Sequence, residues 1–452
     1  MDQEDLKEIV DNLRFLIAVN DKPKLKTLLL STHPADVADI FTHLTEDERD
    51  FLFALLPPDV ASDVIVELDD FHRENILEDL QEDRLSELVD EMDSDDATDV
   101  VADLPEEIAD KILQSIDKQD SAEVKELMRH DEESAGGIMA LEYVVVNQES
   151  TVDDAIQEIR KKAEEVEDLY YVYVIDNDGK LVGTLSLKAL ILSAGKKKVA
   201  DVMERDVISV HEGIDQEEVA NVARKYDLVA VPVVDAHDRL VGRITFDDIV
   251  DVMEDEASED IHRLAGISID EEIHEQSVFK VSRVRLPWLL VAFGGEIISA
   301  LILNNFEHTL KQIIIAAFFI PIIMAMGGNA GIQSSTVIVR GLATGEIGLL
   351  HIKRQLFREI RVSLFNGSVC ATLIFLIVGF WFKDINFGVV LALSIFIIMV
   401  MASFVGASIP LLLKKFNIDP AIATGPFITT ANDSFGLMIY FALATLYLLY
   451  IS

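Results

Sequence analysis

Five apolar stretches in the last third of the chain constrain its fold more than any other feature. They lie near residues 286–304, 312–339, 357–382, 387–413 and 427–450. A bilayer core about 30 Å thick needs about 20 apolar residues of helix to cross it. Its interior offers no water to unpaired backbone groups, so each stretch has to be helical. The last one, PFITTANDSFGLMIYFALATLYLLYI from Pro426 to Ile451, contains one ionisable acid or base, Asp433. A charge at that depth costs about 2.5–3.5 kcal/mol on insertion scales, and by default it marks an ion or substrate path. Thr429 and Thr430 precede Asp433 by four and three residues, which puts all three on one helical face. Gly425–Pro426 before them can leave backbone carbonyls free at the helix mouth. Oxygen donors without His or Cys suit a hard cation such as Mg²⁺. The competing reading is an aspartate hydrogen-bonded to a neighbouring helix for packing.

The second stretch carries PIIMAMGGNAGIQSSTVIVRG, in which Asn329, Gln333 and Thr336 share a face and the glycines allow close helix approach. Such a stripe serves packing or a pore equally well until Asp433 is considered, which favours the pore. Glu296, in the first stretch, is a second intramembrane acid to which the sequence assigns no role. Lys and Arg gather before the first stretch (Lys280, Arg283, Arg285), after the second (Arg340, Lys353, Arg354, Arg358, Arg361) and after the fourth (Lys414, Lys415). The opposite loops hold Lys311 and Lys383. The positive-inside rule therefore predicts cytoplasmic amino-terminal domains and an external C-terminus in a multi-pass plasma-membrane (cell inner membrane) protein.

Charge separates the two halves. From Leu286 onward there are 7 acids and 9 bases, whereas the first 285 residues hold 73 acids and 29 bases, a net charge of −44. Such a body makes cations natural partners and nucleic acid an unsuitable one. Cys370 is the single cysteine, so no intrachain disulfide forms and a cytosolic front half is permitted. The charged opening MDQEDLKEIV is no signal peptide.

Residues 1–131 predict an acidic all-helical domain with a concealed repeat. Leu44, Leu56, Leu68, Leu80, Met92, Leu104, Ile116 and Met128 recur every 12 residues. Segments such as PADVADIFTHL, PPDVASDVIVEL and PEEIADKIL start with Pro and acids, which suit a helix N-terminus. Short helices that each contribute one large apolar residue stack into a small superhelix. His33, His43, His72 and His130 are scattered and read as ordinary surface or packing residues.

From residue 132 strands alternate with helices, in two copies assigned to residues 132–200 and 201–258. Met139 corresponds to Met203, Asp176 to Asp235 and Gly183 to Gly242. Each copy reads strand, helix, two strands joined by a short turn, then helix. This α+β pattern resembles a tandem pair of CBS domains, a module that often binds adenine nucleotides or ions. In nucleotide-binding members a Thr and an Asp three residues later hold the ribose. Thr245 and Asp248 match that in the second copy, whereas the first has Ser186 and Ala189. ATP or another adenine nucleotide is thus a candidate ligand beside structural or cation-binding use.

The second copy runs into TFDDIVDVMEDEASEDIHRLAGI, where Asp248, Asp251, Asp255 and Glu259 share one helical face and Glu256 and Asp260 flank it. Like charges at this spacing destabilise an isolated helix, and divalent cations would neutralise them. The plainer alternative is a solvated acidic face. Residues 259–285 read as an amphipathic connecting helix, and 286–452 as a five-helix transmembrane domain. No nucleophile–base pair, phosphate-binding loop or His/Cys metal spacing appears, so an enzyme reading has nothing to rest on.

The order of these parts, with GGNAGIQSS in the second span and DPAIATGPFITTANDSFG entering the fifth, resembles the MgtE family of magnesium channels and transporters. The resemblance implies a homodimer with a pore on its two-fold axis, lined by the second and fifth helices, and a Mg²⁺ site at Asp433. It also implies that cytosolic Mg²⁺ binds among the acidic domains and locks a closed state. The family's amino-domain acids then fall on Asp95 and Asp99, its CBS and linker acids on Asp248, Asp251, Glu256, Glu259 and Asp260, and the acid of the loop between the fourth and fifth spans on Asp419. Ile332 and Gly425 stand where some members have polar residues. Two rivals remain at this level: a carrier of another divalent ion (Co²⁺ or Mn²⁺) or one coupled to protons through Asp433, and a membrane-anchored nucleotide sensor without transport.

Overall fold

The computed structural model describes the chain except residues 1–2, 164–165, 167–168, 266–277, 345–346, 348–351, 417, 421–424 and 452. The described residues form two compact units, Met1–Met253 and Glu254–Ser452.

Unit 1 opens with α1 (Gln3–Ala18) and α2 (Lys22–Leu30). They are followed by α3 (Pro34–Thr42), α4 (Glu46–Phe53), α5 (Pro58–Val66), α6 (Asp70–Asp79), α7 (Glu82–Val89), α8 (Ser94–Ala102), α9 (Glu106–Ser115) and α10 (Lys118–Leu127). From α3 to α10 every helix starts 12 residues after the one before. The repeat is therefore one short helix plus its turn. Each start is marked chemically, for instance by the capping box of Thr45 with Glu48 and by Asp69, whose carboxylate accepts from the His72 backbone N–H at 2.9 Å. The apolar residue of the repeat follows the helix end and turns inward. Leu44, Leu56, Leu68 and Ile116 are buried, and Leu80, Met92 and Leu104 pack at the edge of the same core. Met128 departs from the pattern and is 46% exposed, because it closes the last helix of the array and no further repeat covers it. Alternate helices stack, α3 on α5, α5 on α7, α7 on α9 and α8 on α10, which gives the expected superhelix.

Two three-stranded sheets follow. The first contains β1 (Val144–Asn147), β2 (Tyr171–Ile175) and β3 (Leu181–Ser186), with helices α11 (Val152–Lys161) and α12 (Leu187–Leu192). The second contains β4 (Val210–His211), β5 (Ala230–Val234) and β6 (Leu240–Thr245), with α13 (Gln216–Tyr226) and α14 (Phe246–Ala265). In each the first pairing is parallel and the second antiparallel. The two copies exchange their leading segments. Leu127, Ala135 and Met139 lie in the core of the second sheet, and Val199 and Met203 lie in that of the first. Ala140 and Arg243 exchange backbone hydrogen bonds of 2.7 and 3.0 Å, as do Thr184 and Glu204 at 2.9 Å. Gly183 and Gly242 are required by this exchange, since a Cβ on either would lie 2.6 Å from the sulfur of Met203 or Met139 respectively.

Unit 2 is helical. It contains α15 (Val278–Asn305), α16 (Glu307–Gln312), a 3₁₀ segment over Ile314–Phe319, α17 (Ile320–Ala343), α18 (Ile352–Trp381), α19 (Ile385–Lys415) and α20 (Gly425–Ile451). Among the described residues, five helical segments are long and apolar enough to cross a membrane: Val281–Asn305, Ile314–Ala343, Ile352–Trp381, Ile385–Lys415 and Phe427–Tyr450. The expected connecting helix, 259–285, is helical at both ends, while 266–277 falls outside the described residues. Small residues set the helix spacing. A Cβ on Gly331 would overlap the Asn432 amide, one on Gly406 would overlap the Gly331 backbone, and one on Gly295 would overlap Thr430. Polar pins tie α20 to α16 and to the 3₁₀ segment, Thr309 to Thr445 at 2.7 Å and the Tyr440 hydroxyl donating to the Ala316 carbonyl at 2.9 Å.

The repeat gives a direct test. Leu56, 3% exposed, sits in the helical core, so Leu56→Ala is expected to destabilise that domain by about 2–4 kcal/mol. Met128→Ala should stay within about 0.5 kcal/mol. Melting curves of the two purified variants check the contrast.

Candidate cation sites

The N-terminus of α8 lies beside the residues that open α14, and both are rich in carboxylates. Asp93, Asp95 and Glu142 each offer an oxygen within 4.8 Å of the others. Glu142 is held in place by Ser94, whose backbone N–H and hydroxyl donate to its two oxygens at 3.1 and 2.9 Å. The α8 N-terminus suits such a gathering, since the N–H groups of its first turn and its dipole favour negative charge, and the Asp96 N–H donates to the Asp95 carboxylate at 3.0 Å. The carboxyl groups nevertheless outnumber what one helix end can compensate. Burial, reinforced by Asp248, Asp96, Glu142 and Asp93, holds the Asp95 pKa well above the usual carboxylate range. Burial and the charge of Asp248 push Asp96 up to about 8. Asp99, at the exposed rim, is lifted to about 6 by the protein packed around its carboxyl, against the pull of Arg73.

Asp248 has a local partner. The Thr245 hydroxyl donates to its Oδ2 at 2.6 Å and the Thr245 backbone N–H does so at 3.0 Å, an arrangement typical of a helix start. Burial still raises the Asp248 pKa, opposed by the two bonds from Thr245. Asp251 belongs to the same acidic region. It and Asp247 act on Glu67, whose pKa is raised first by burial. Asp95, Asp99, Asp248 and Asp251, positions to which the family resemblance carries regulatory acids, lie in this region together with Glu67, Asp93, Asp96, Asp247 and Glu142. Glu142 lies 47 residues from Asp95 in a segment without local periodicity, so no sequence signal pointed to it.

The carboxylates of the second half of α14 have a different environment. Glu259 and Asp419 both form ion pairs with Arg263. Asp260 is half-buried, and burial raises its pKa against the influence of Lys414. Glu256 is half-buried on the same helix. One continuous acidic stripe in the sequence is therefore two sites, the second of which contains an arginine between its acids.

Within the apolar helices, Asp433 is 5% exposed and Asn432 fully buried. The Asn432 amide oxygen and nitrogen and the Asp433 Oδ1 have no hydrogen-bond partner among the described residues. Glu296 of α15 brings a second carboxyl to Asp433. The sequence assigns Glu296 no role, and Asn432 is a functional candidate it does not single out, although an amide in an apolar span is itself a signal. Thr429 donates its hydroxyl to the Gly425 carbonyl at 3.0 Å, so that carbonyl is capped by its own helix. Thr430 packs at Gly295, while Asn329 and Gln333 lie exposed on α17. Asp433 and the Asn329–Gln333 stripe are thus not brought together as buried neighbours in this chain.

Residues 320–443 match the family model described as MgtE, divalent cation transporter. Residues 32–133 match the MgtE intracellular N domain, and 124–194 and 199–255 match the CBS domain. The magnesium transporter MgtE of Bacillus subtilis is 41% identical over 325 residues, 72% of either chain. This chain belongs to the MgtE family. The MgtE magnesium transporter of Thermus thermophilus is 38% identical over 332 residues, 72% of this chain and 73% of the relative. Among solved structures, the soluble part of a magnesium transporter superposes with a TM-score of 0.52 at 33% identity, covering 56% of this chain and 99% of the other. The cytosolic domain of the Mg²⁺ channel MgtE in complex with ATP does so with a TM-score of 0.52 at 34% identity, covering 54% and 99%. As an MgtE protein with five apolar helices, the chain is a multi-pass membrane protein.

The acidic region predicts an unusual pH response. A carboxyl whose folded pKa exceeds its unfolded value of about 3.9 keeps a proton that the unfolded chain gives up. Its contribution to stability is complete below about pH 3.9 and is lost as pH rises through the folded pKa. With Asp99 near 6 and Asp96 near 8, the cation-free protein should melt at progressively lower temperature from about pH 5 to about pH 8. Millimolar Mg²⁺ should raise the melting temperature most at the alkaline end of that range. Equal stabilisation at both ends would show that the ion does not replace those protons.

Proposed function

We propose that this MgtE protein is a Mg²⁺-selective, channel-like transporter that conducts Mg²⁺ passively across the plasma membrane as a homodimer. Its amino-terminal unit is cytosolic, and five spans leave the C-terminus outside. The observation that carries the transport reading is Asp433, buried at 5% exposure beside Glu296 and Asn432 with polar atoms lacking a protein partner among the described residues. An ionised Asp433 buried among apolar helices would be strongly destabilising unless water or a cation reached it. Oxygen-only surroundings suit Mg²⁺, which gives up its own waters reluctantly and binds through few carboxylates. Asn329, Gln333, Thr429 and Thr430 complete the proposed passage when a second subunit faces the exposed side of α17. The magnesium transporters among its relatives support the choice of ion.

Cytosolic Mg²⁺ is the gating ligand in this reading. Two carboxylates at contact repel by about 4 kcal/mol at an effective dielectric of 20, and unit 1 holds many. Mg²⁺ bridging Asp93, Asp95, Asp99, Glu142, Asp248 and Asp251 compacts the unit and favours closure. Moving a gate from 1:99 to 99:1 requires about 5.5 kcal/mol of differential binding, within reach of a few shared ions. Arg263 serves as a fixed counter-charge for Glu259 and Asp419, with Glu256 and Asp260 beside them. A second ligand is supported by the CBS match and by the ATP complex of the structural relative. ATP would bind at Thr245 and Asp248, where their mutual hydrogen bond now lies.

Mg²⁺ flux into liposomes tests both parts. Asp433→Ala should lower uptake at least about tenfold with an unchanged melting temperature, whereas a membrane-anchored sensor without transport would be indifferent to it. Replacing Asp95, Asp96 and Asp248 together with Asn should leave uptake intact but no longer inhibited by internal Mg²⁺. Retained inhibition in that triple variant would refute the gating site. Flux that follows membrane potential and ignores a proton gradient distinguishes the channel from a proton-coupled carrier.

A further inference from the structure

The first turns of α18 form one wall of a groove that neither conduction nor gating uses. Arg354, Arg358 and Arg361 line it with Phe357, Val362 and Phe365, and the cavity measures about 990 Å³. Positions 354, 358 and 361 follow the i, i+4, i+7 spacing of one helical face, so three guanidinium groups crowd a single stripe. Gln355 also lines the groove, and its Nε2 is buried without a hydrogen-bond partner among the described residues. The acid of the same segment, Glu359, is buried and is not part of the lining. The groove therefore presents N–H donors and positive charge.

Its apolar residues limit what can occupy it. Phe357 and Phe365 are 64% and 71% exposed, and Val362 is also exposed. They continue directly into the apolar part of α18, which is long and apolar enough to span a bilayer. A free phosphate would engage the arginines and leave these side chains uncovered. A molecule with an anionic phosphate at one end and acyl chains at the other covers both. We propose that this groove is a binding site for an anionic phospholipid of the leaflet that meets the first turns of α18. Arg354, Arg358, Arg361 and the Gln355 amide hold its phosphate, and Phe357, Val362 and Phe365 cover its acyl chains. Basic residues at a membrane surface each add to the attraction for such lipids, and three on one stripe set this site apart from isolated basic residues.

The test uses the full-length protein in neutral detergent, with melting temperature followed during addition of phosphatidylglycerol, phosphatidylcholine or inorganic phosphate. Phosphatidylglycerol should raise the melting temperature, and the other two should not. Exchanging Arg354, Arg358 and Arg361 together for Gln should abolish the shift or raise the half-effective lipid concentration at least about tenfold. Lys353→Gln, on the same helix but outside the groove, should leave it intact. If the triple variant is too unstable to purify, Arg358→Gln with Gln355→Leu tests the same contacts with one charge removed. An equal shift from inorganic phosphate would make this a plain anion site, and an unchanged shift in the arginine variants would place the lipid elsewhere. Either result overturns the proposal.

Discussion

Carboxyl groups removed from water and placed near one another are the constraint on which this molecule depends. Each loses hydration, and each raises the cost of ionising the next. Around the start of α8 the effect is large enough to lift Asp96 to about 8 and Asp99 to about 6. Protons or divalent cations relieve it, and the two compete for the same oxygens. In the apolar helices, Asp433 is buried with the Glu296 carboxyl beside it. The chain thus brings acids together in both of its units.

The scaffold supplies rigidity to that crowding. In the amino-terminal unit, helices of 8–10 residues repeat every 12, each started by Pro or an acid or a capping side chain and, up to Ile116, closed by an apolar residue packed on the core. Acids at helix starts are favoured by the dipole, so the repeat that builds the core also sets carboxylates at regular places on its rim. The paired sheets exchange Met139 and Met203 across Gly242 and Gly183, which makes neither copy complete without the other. Thr245 fixes Asp248 at the start of α14 through two hydrogen bonds, so this acid cannot simply swing away from its neighbours. In the helical unit, Gly295, Gly331 and Gly406 let helices approach closely enough to bury Asn432 and Asp433.

A built-in arginine is the counter-charge for two acids of the helical unit. Arg263 joins Glu259 and Asp419 through a fixed planar fork, a geometry that fits two carboxylates and does not depend on ion concentration. For Asp95 and Asp96 the strongest neighbouring charges are other acids. The arginine stripe of α18 has the opposite character, three cations facing an open groove with apolar side chains beside them.

The sequence by itself determined the order of parts: a helical repeat with a 12-residue period, two strand–helix–strand–strand–helix copies, an acidic helix and five spans. These follow from local periodicity and from the bilayer's demand for internally paired backbone. It also located Asp433, since one charge in an apolar run is visible without any contact. Tertiary structure alone decided which acids meet. Glu142 joins Asp93 and Asp95, Glu296 joins Asp433, and the α14 stripe divides between a carboxylate cluster and an arginine pair. Helical spacing tells which residues share a face but not what that face meets, because desolvation and Coulomb repulsion depend on distances set by packing between segments remote in the chain.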